Sequence, residues 1–159
     1  MKSSLTPDQA WPKIKHFCAY RERCHFEVKE KLFSMSLPKK EVESLLSKLI
    51  EAGYLSEERF ATQFAGGHFR QKKWGKQKIV YALRQKRVNE IIIKIALKEI
   101  DGADYAASLH KLALAKWKNL KGEPYLSKQV KTRAYLLQKG YEARAIHQAL
   151  TGIKTGEIE

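Results

Sequence analysis

Apolar residues recur along this chain at three- and four-residue intervals, while strict alternation of apolar and polar positions is almost absent, so the pattern predicts helices throughout. Over 38–52, Val42, Leu45, Leu46 and Leu49 fall on one face of an amphipathic helix. Gly53 follows where a left-handed residue commonly ends a helix, and Tyr54 is placed to supply the apolar contact of a Schellman motif. The spacing then repeats. The series Leu32, Leu37, Val42, Leu45, Leu46, Leu49 returns 51 residues later as Leu83, Val88, Ile93, Ala96, Leu97, Ile100. It returns after a further 53 as Leu136, Tyr141, Ile146, Ala149, Leu150, Ile153. Each series steps by five, five, three, one and three, which reads as the end of one helix, a short turn and a second helix.

A further helical stretch precedes each series, at 8–21, 57–73 and 104–120, giving three helices per unit. The expected fold is therefore all-α: three tandem three-helix repeats spanning 8–55, 56–103 and 104–153. Units of this size bury little alone, and stacking them predicts an elongated, curved array. Local signals agree with the cuts. Ser56 is a candidate N-cap ahead of Glu57 and Glu58, Asn89 one ahead of Glu90, and Ser127 one for the helix ending near Gly140. Gly102 and Gly122-Glu123-Pro124 punctuate the third unit. Gly66-Gly67 lies inside a helical pattern, where two glycines predict a bend or a weak helix.

Charge changes the picture. With 31 Lys and Arg against 17 Asp and Glu the net charge is +14, and such an excess points to a polyanionic partner. It is unevenly distributed. Residues 1–58 carry ten basic and nine acidic side chains, residues 90–159 twelve and eight, but residues 59–89 carry nine basic and no acidic ones. Arg70, Lys72, Lys73, Trp74, Lys76, Lys78, Arg84, Lys86 and Arg87 are the candidate partner- and nucleic-acid-binding residues. Gly75 should end one helix and begin the next, leaving backbone N–H groups that, with the surrounding cations, would form a phosphate site. Trp74 is either a stacking platform for a base or an apolar anchor beneath the turn.

Other chemistry is not written in the chain. There is no Walker loop, no His-Glu-x-x-His and no Gly-x-Ser-x-Gly, so an enzyme is not expected, nor any cofactor. His16, Cys18, Cys24 and His25 superficially suggest zinc. On a helix, however, the two thiols would stand about 240° apart and roughly 9 Å along the axis, so buried apolar roles are expected and no metal. No apolar run spans a bilayer, no secretory signal is visible, and two cysteines suit a reducing compartment; a cytoplasmic protein without a membrane partner is expected.

Three segments carry a resemblance. Arg21-Glu22-Arg23-Cys24-His25-Phe26-Glu27-Val28 is similar to Arg-x-x-Ser-x-x-Glu-Leu, and Gly53-Tyr54-Leu55-Ser56-Glu57-Glu58-Arg59-Phe60-Ala61 to Gly-Tyr-Leu-Asp-Asp-Glu-Arg-Phe-Ala. They are followed by Arg70, Trp74-Gly75-Lys76-Gln77-Lys78-Ile79, Leu83 and Lys86, with a weaker echo at 135–141. In these the chain resembles the RecX family, bacterial regulators of the RecA recombinase. Two positions depart from the pattern. Cys24 replaces a Ser that would form a capping box with Glu27, and Arg87 stands where Gly is usual. If residue 87 is left-handed, Arg there costs about 1–2 kcal/mol.

The resemblance implies a non-catalytic protein that lies along the RecA filament, bridges its protomers, and inhibits ATP hydrolysis, strand exchange and co-protease action; a monomer is expected. It also implies single- or double-stranded DNA as a further partner. A different reading of the same basic surface is a direct DNA- or RNA-binding protein that uses its three-helix units in the helix-turn-helix manner.

Overall fold

A computed structural model describes residues 4–154. Among the described residues all regular structure is helical: α1 (Pro7–Tyr20), α2 (His25–Phe33), α3 (Lys39–Glu51), α4 (Glu57–Lys72), α5 (Lys76–Gln85), α6 (Glu90–Lys98), α7 (Gly102–Asn119), α8 (Tyr125–Lys139) and α9 (Ala143–Lys154). The apolar series predicted from spacing forms the interior. Every one of its positions is buried except Leu97 and Ala149, which are half-buried.

The repeat is also visible in the backbone. Ser36, Arg87 and Gly140 stand at the same point of the three series, each one residue before the apolar position that opens the second helix. All three are left-handed, with φ of 63°, 61° and 100°. After α5 and after α8 the same pair of bonds closes the helix. The Val88 N–H donates to the Leu83 carbonyl and Arg87 to Arg84; Tyr141 donates to Leu136 and Gly140 to Leu137. These are Schellman ends, in which a positive φ lets two successive N–H groups reach carbonyls of the last turn. Arg87 therefore holds the strained conformation foreseen for it. The end of α3 is built likewise: Gly53 has φ 80°, its N–H meets the Ile50 carbonyl, and Tyr54 meets Leu49.

Two N-caps stand where the sequence puts them. Ser56 Oγ accepts from the Arg59 N–H, and Asn89 Oδ1 from that of Ile91. Two expectations need correction. Ser127 caps nothing: α8 begins earlier, behind Pro124, and the Ser127 hydroxyl donates to the Glu123 carboxylate. Gly102 does not interrupt a helix but opens α7, whose cap is Asp101 accepting from the Asp104 N–H. A carboxylate one residue upstream outweighed the glycine, because it satisfies an N–H that is otherwise orphaned. Helix α4 runs unbroken through Gly66 and Gly67.

The helices fall into two compact units. The first comprises the chain up to Phe64 together with Leu83–Ala96; the second comprises Ala65–Ala82 and the chain from Leu97 onward. The boundary thus falls within α4, α5 and α6. The first unit's core is formed by Ala10, Ile14, Val28, Leu32, Val42 and Leu49 from α1–α3, with Trp11 and Phe17 packed at its edge. Cys18 and Cys24 are both buried, as expected of small apolar side chains. In the second unit α7, α8 and α9 pack pairwise, and Tyr105 stacks on Phe69 and Tyr141 at 5.7 and 5.2 Å.

Candidate partner-binding surface

Six of the nine candidate residues lie in the second unit, around the turn from α4 to α5. The turn exists because α4 ends at Lys72 and the next residue, Lys73, reverses the chain with a φ of 59°; its N–H meets the Phe69 carbonyl and that of Trp74 meets His68. Gly75 then enters α5 at a point where two backbones nearly touch. A Cβ placed on Gly75 would lie 2.3 Å from the Gly140 carbonyl carbon, and one on Gly140 would lie 2.3 Å from the Lys78 Cβ. Only the absence of side chains at both positions permits this approach.

The approach is secured by hydrogen bonds. Gly75 and Gln77 donate their N–H groups to the Lys139 and Gly140 carbonyls at 2.8 and 2.9 Å, and the Lys76 N–H donates to the Tyr105 hydroxyl at 2.9 Å. In return the Tyr141 hydroxyl donates to the Lys73 carbonyl at 3.0 Å, and the Lys139 ammonium to the Lys72 carbonyl at 3.1 Å. The expected phosphate cradle is therefore corrected. The N–H groups of Gly75, Lys76 and Gln77 are not free for an anion; the last carbonyl of α8, a tyrosine of α7 and the α8–α9 turn take them.

The side chains remain outward. Arg70, Lys72 and Lys73 are exposed, whereas Lys76 and Lys78 are half-buried. Trp74 is half-buried too, with its ring 4.6 Å from that of His68 and the ammonium groups of Lys78 and Lys72 at 4.9 and 5.5 Å. The Lys76 ammonium lies 4.7 Å from the Tyr105 ring. An indole so placed attracts cations through its quadrupole and gathers lysines about the turn. The nearby acid, Glu142, accepts from the Tyr105 hydroxyl; burial, ahead of that bond, pushes the Tyr105 phenol well above its ordinary value.

The other three candidates lie in the first unit, in a different electrostatic setting. Arg84 makes two bonds to the Glu90 carboxylate, at 2.6 and 3.1 Å. The hydrogen bond, ahead of the charge, lowers the Glu90 pKa. The Lys86 ammonium lies 3.9 Å from Glu27, which also pairs with Arg21 and Arg23. The Arg87 guanidinium rests 4.6 Å from the Phe26 ring. An acid-free stretch of sequence thus draws carboxylates from outside itself at Arg59, Arg84 and Lys86, and among the described residues no ion pair involves the cations of the α4–α5 turn. Reading the sequence missed Gly140, Tyr141 and Tyr105 as the groups that hold this turn. Only the echo at 135–141 hinted at the first two.

Cys24 illustrates a local substitution. It is the N-cap of α2 but accepts no N–H; its thiol instead donates to Glu27 Oε1 at 3.3 Å. Burial raises its pKa to about 11.

Among the described residues no helix is long and apolar enough to cross a membrane. Residues 56–97 match the family model described as RecX, second three-helix domain. The regulatory protein RecX of Chlorobium phaeobacteroides (strain BS1) is 32% identical over 135 residues, covering 84% of this chain and 85% of its own. That of Prosthecochloris aestuarii (strain DSM 271 / SK 413) is 30% identical over 139 residues, covering 87% and 89%. Among solved structures, RecX from Lactobacillus salivarius shares the fold with a TM-score of 0.88 at 19% identity, covering 94% of this chain and 97% of that one. A second, titled as the crystal structure of regulatory protein RecX, does so with a TM-score of 0.82 at 22% identity, covering 91% and 71%. Identity at this level across most of both chains, on an all-α fold shared with solved relatives, places the chain in the RecX family of regulatory proteins.

Proposed function

We propose that this protein binds the RecA filament and inhibits its ATPase, strand-exchange and co-protease activities, using the basic α4–α5 turn as its principal contact. The observation that supports this most is the combination of Arg70, Lys72 and Lys73, all exposed, with a backbone clamped by five hydrogen bonds. A rigid cationic turn loses little entropy on binding, so its charge goes into affinity and orientation rather than into ordering a loop. Relatives named as regulatory proteins, and a sequence without catalytic motifs, fit a role in binding. Lys76, Lys78 and Trp74 shape the turn from beneath. Arg84, Lys86 and Arg87, in the first unit, are exposed or half-buried cations already matched to carboxylates or an aromatic ring.

The test is a titration of RecA ATPase on single-stranded DNA. Substoichiometric protein should inhibit, and the variant Arg70→Glu/Lys72→Glu/Lys73→Asn, made at exposed positions with an asparagine that tolerates positive φ, should inhibit at least about tenfold less while melting normally. Normal inhibition by that variant would refute the assignment of the turn. The half-buried Trp74 among cations also supports direct nucleic-acid binding as a second reading. That reading requires binding to naked single strands to weaken with salt by a log–log slope of about −0.7 per phosphate, roughly −3.5 for five contacts. Binding to RecA that survives without DNA argues for the first.

A further inference from the structure

Helix α8 has a buried face and an outer face, and the outer one is not what a solvated helix carries. Thr132 and Leu136 are fully buried on the inner side. Leu126, Val130 and Leu137, however, are 72%, 67% and 44% exposed, and Ala134 is exposed as well. At 100° per residue these four positions fall within about 80° of one another, forming one stripe roughly 16 Å long. Single exposed leucines need no explanation; a stripe in register along three turns does.

The flanks of this stripe are cationic. Arg133 borders one side; Lys131, towards the other, pairs with Glu123 at 2.6 Å, and α8 holds Lys128, Lys131, Arg133 and Lys139 without one Asp or Glu of its own. Its far end adjoins the basic turn, because Lys139, two residues beyond Leu137, donates to the Lys72 carbonyl at 3.1 Å.

We propose that the outer face of α8 is a docking surface for an amphipathic helix of a partner protein, one with aliphatic residues at three- and four-residue spacing and carboxylates beside them. Helix-on-helix recognition of this kind reads apolar anchors for affinity and flanking charge for partner choice. Charge argues against a second copy of this chain as occupant. Antiparallel two-fold pairing of the stripes sets the Arg133 of each copy against that of the other. A bilayer is also the poorer fit. Helices lying in a membrane interface usually bear Trp or Phe on the apolar face, whereas this stripe is aliphatic and the neighbouring Tyr125 ring is packed on Trp117 at 5.5 Å. The inference deepens the recombinase-binding reading by giving the chemistry of the partner, and its test is separable from that reading.

The probe is a fluorescein-labelled acidic peptide of about 18 residues, long enough to form a helix on binding, with leucines at the matching spacing. Its control has the same composition in scrambled order. Anisotropy titrations with the full chain should show the ordered peptide binding at least about tenfold more tightly. The Leu126→Ser/Val130→Ser/Leu137→Ser variant should lose that preference. Because these side chains are exposed, its melting should be unchanged; Leu126→Glu alone, at the most exposed position, serves if the triple variant does not fold. The Arg70→Glu/Lys72→Glu/Lys73→Asn variant should keep the preference. If it keeps the preference while RecA inhibition is absent even in the parent protein, the recombinase reading fails and the docking surface stands. Equal affinity for ordered and scrambled peptides, or unchanged binding by the stripe variants, overturns the proposal. So does stripe-dependent dimerisation in ultracentrifugation, or stripe-dependent binding to phosphatidylglycerol vesicles without discrimination between the peptides.

Discussion

Alanine at position 75 would drive a Cβ to within 2.3 Å of the Gly140 carbonyl carbon and 2.4 Å of both the Gly140 oxygen and the Tyr141 nitrogen. Ordinary contact begins near 3.4 Å, so two backbones would have to separate by about 1 Å. Neither is the flexible tip of a side chain. The bonds from Gly75 to Lys139 and from Gln77 to Gly140, at 2.8 and 2.9 Å, would stretch beyond hydrogen-bonding distance. Leaving such donors and acceptors unpaired costs about 1–3 kcal/mol for each bond, so Gly75→Ala should destabilise the second unit by about 2–6 kcal/mol. That is a large part of a typical total of about 5–15 kcal/mol. At about 2–4 °C per kcal/mol for a chain of this size, the melting temperature should fall by about 4–24 °C. Circular dichroism at the helical minimum measures it. Gly67→Ala is the control: it lies inside α4 with nothing within 4 Å of the added carbon. It should gain up to about 1 kcal/mol from helix propensity. Equal melting of Gly75→Ala and the parent chain would refute the backbone clamp, and with it the account of why the basic turn is rigid.

Tyr105→Phe should cost about 1–3 kcal/mol, since the Lys76 N–H loses its acceptor and Glu142 its donor; urea unfolding should show a lower midpoint at unchanged slope. Thr132→Val should instead stabilise by about 1–3 kcal/mol, because the buried Thr132 hydroxyl has no hydrogen-bond partner and valine matches its shape; calorimetry that finds no gain would contradict this. Cys18 and Cys24 should resist a thiol-reactive disulfide reagent in the native state and react once denatured, as both are buried with raised pKa values. For Cys24 the folded value of about 11 stands above the ordinary thiol value of 9.0. The folded state therefore holds the proton more tightly, and stability fully present below pH 9.0 should decline as pH rises towards 11.

Much of the fold was legible because it is local. Apolar spacing set the helices and the repeat lengths of 51 and 53 set their register; the left-handed residues 36, 87 and 140 recur at one point of that register. Capping by Ser56 and Asn89 and the glycine end at Gly53 likewise involve neighbours within a few residues, where spacing along the chain is also distance in space. The concentration of charge in 59–89 was a matter of counting. What the cations face was not. Lys86 meets Glu27 across 59 positions, and the hydroxyl of Tyr141 reaches the Lys73 carbonyl across 68. The start of α5 looked like an open anion site because its donors have no partner nearby in sequence; their acceptors arrive from Lys139, Gly140 and Tyr105. Periodicity fixes which face of a helix is buried, but not which distant carbonyl closes over its end. That depends on two glycines letting separate backbones meet, a condition set by tertiary packing alone.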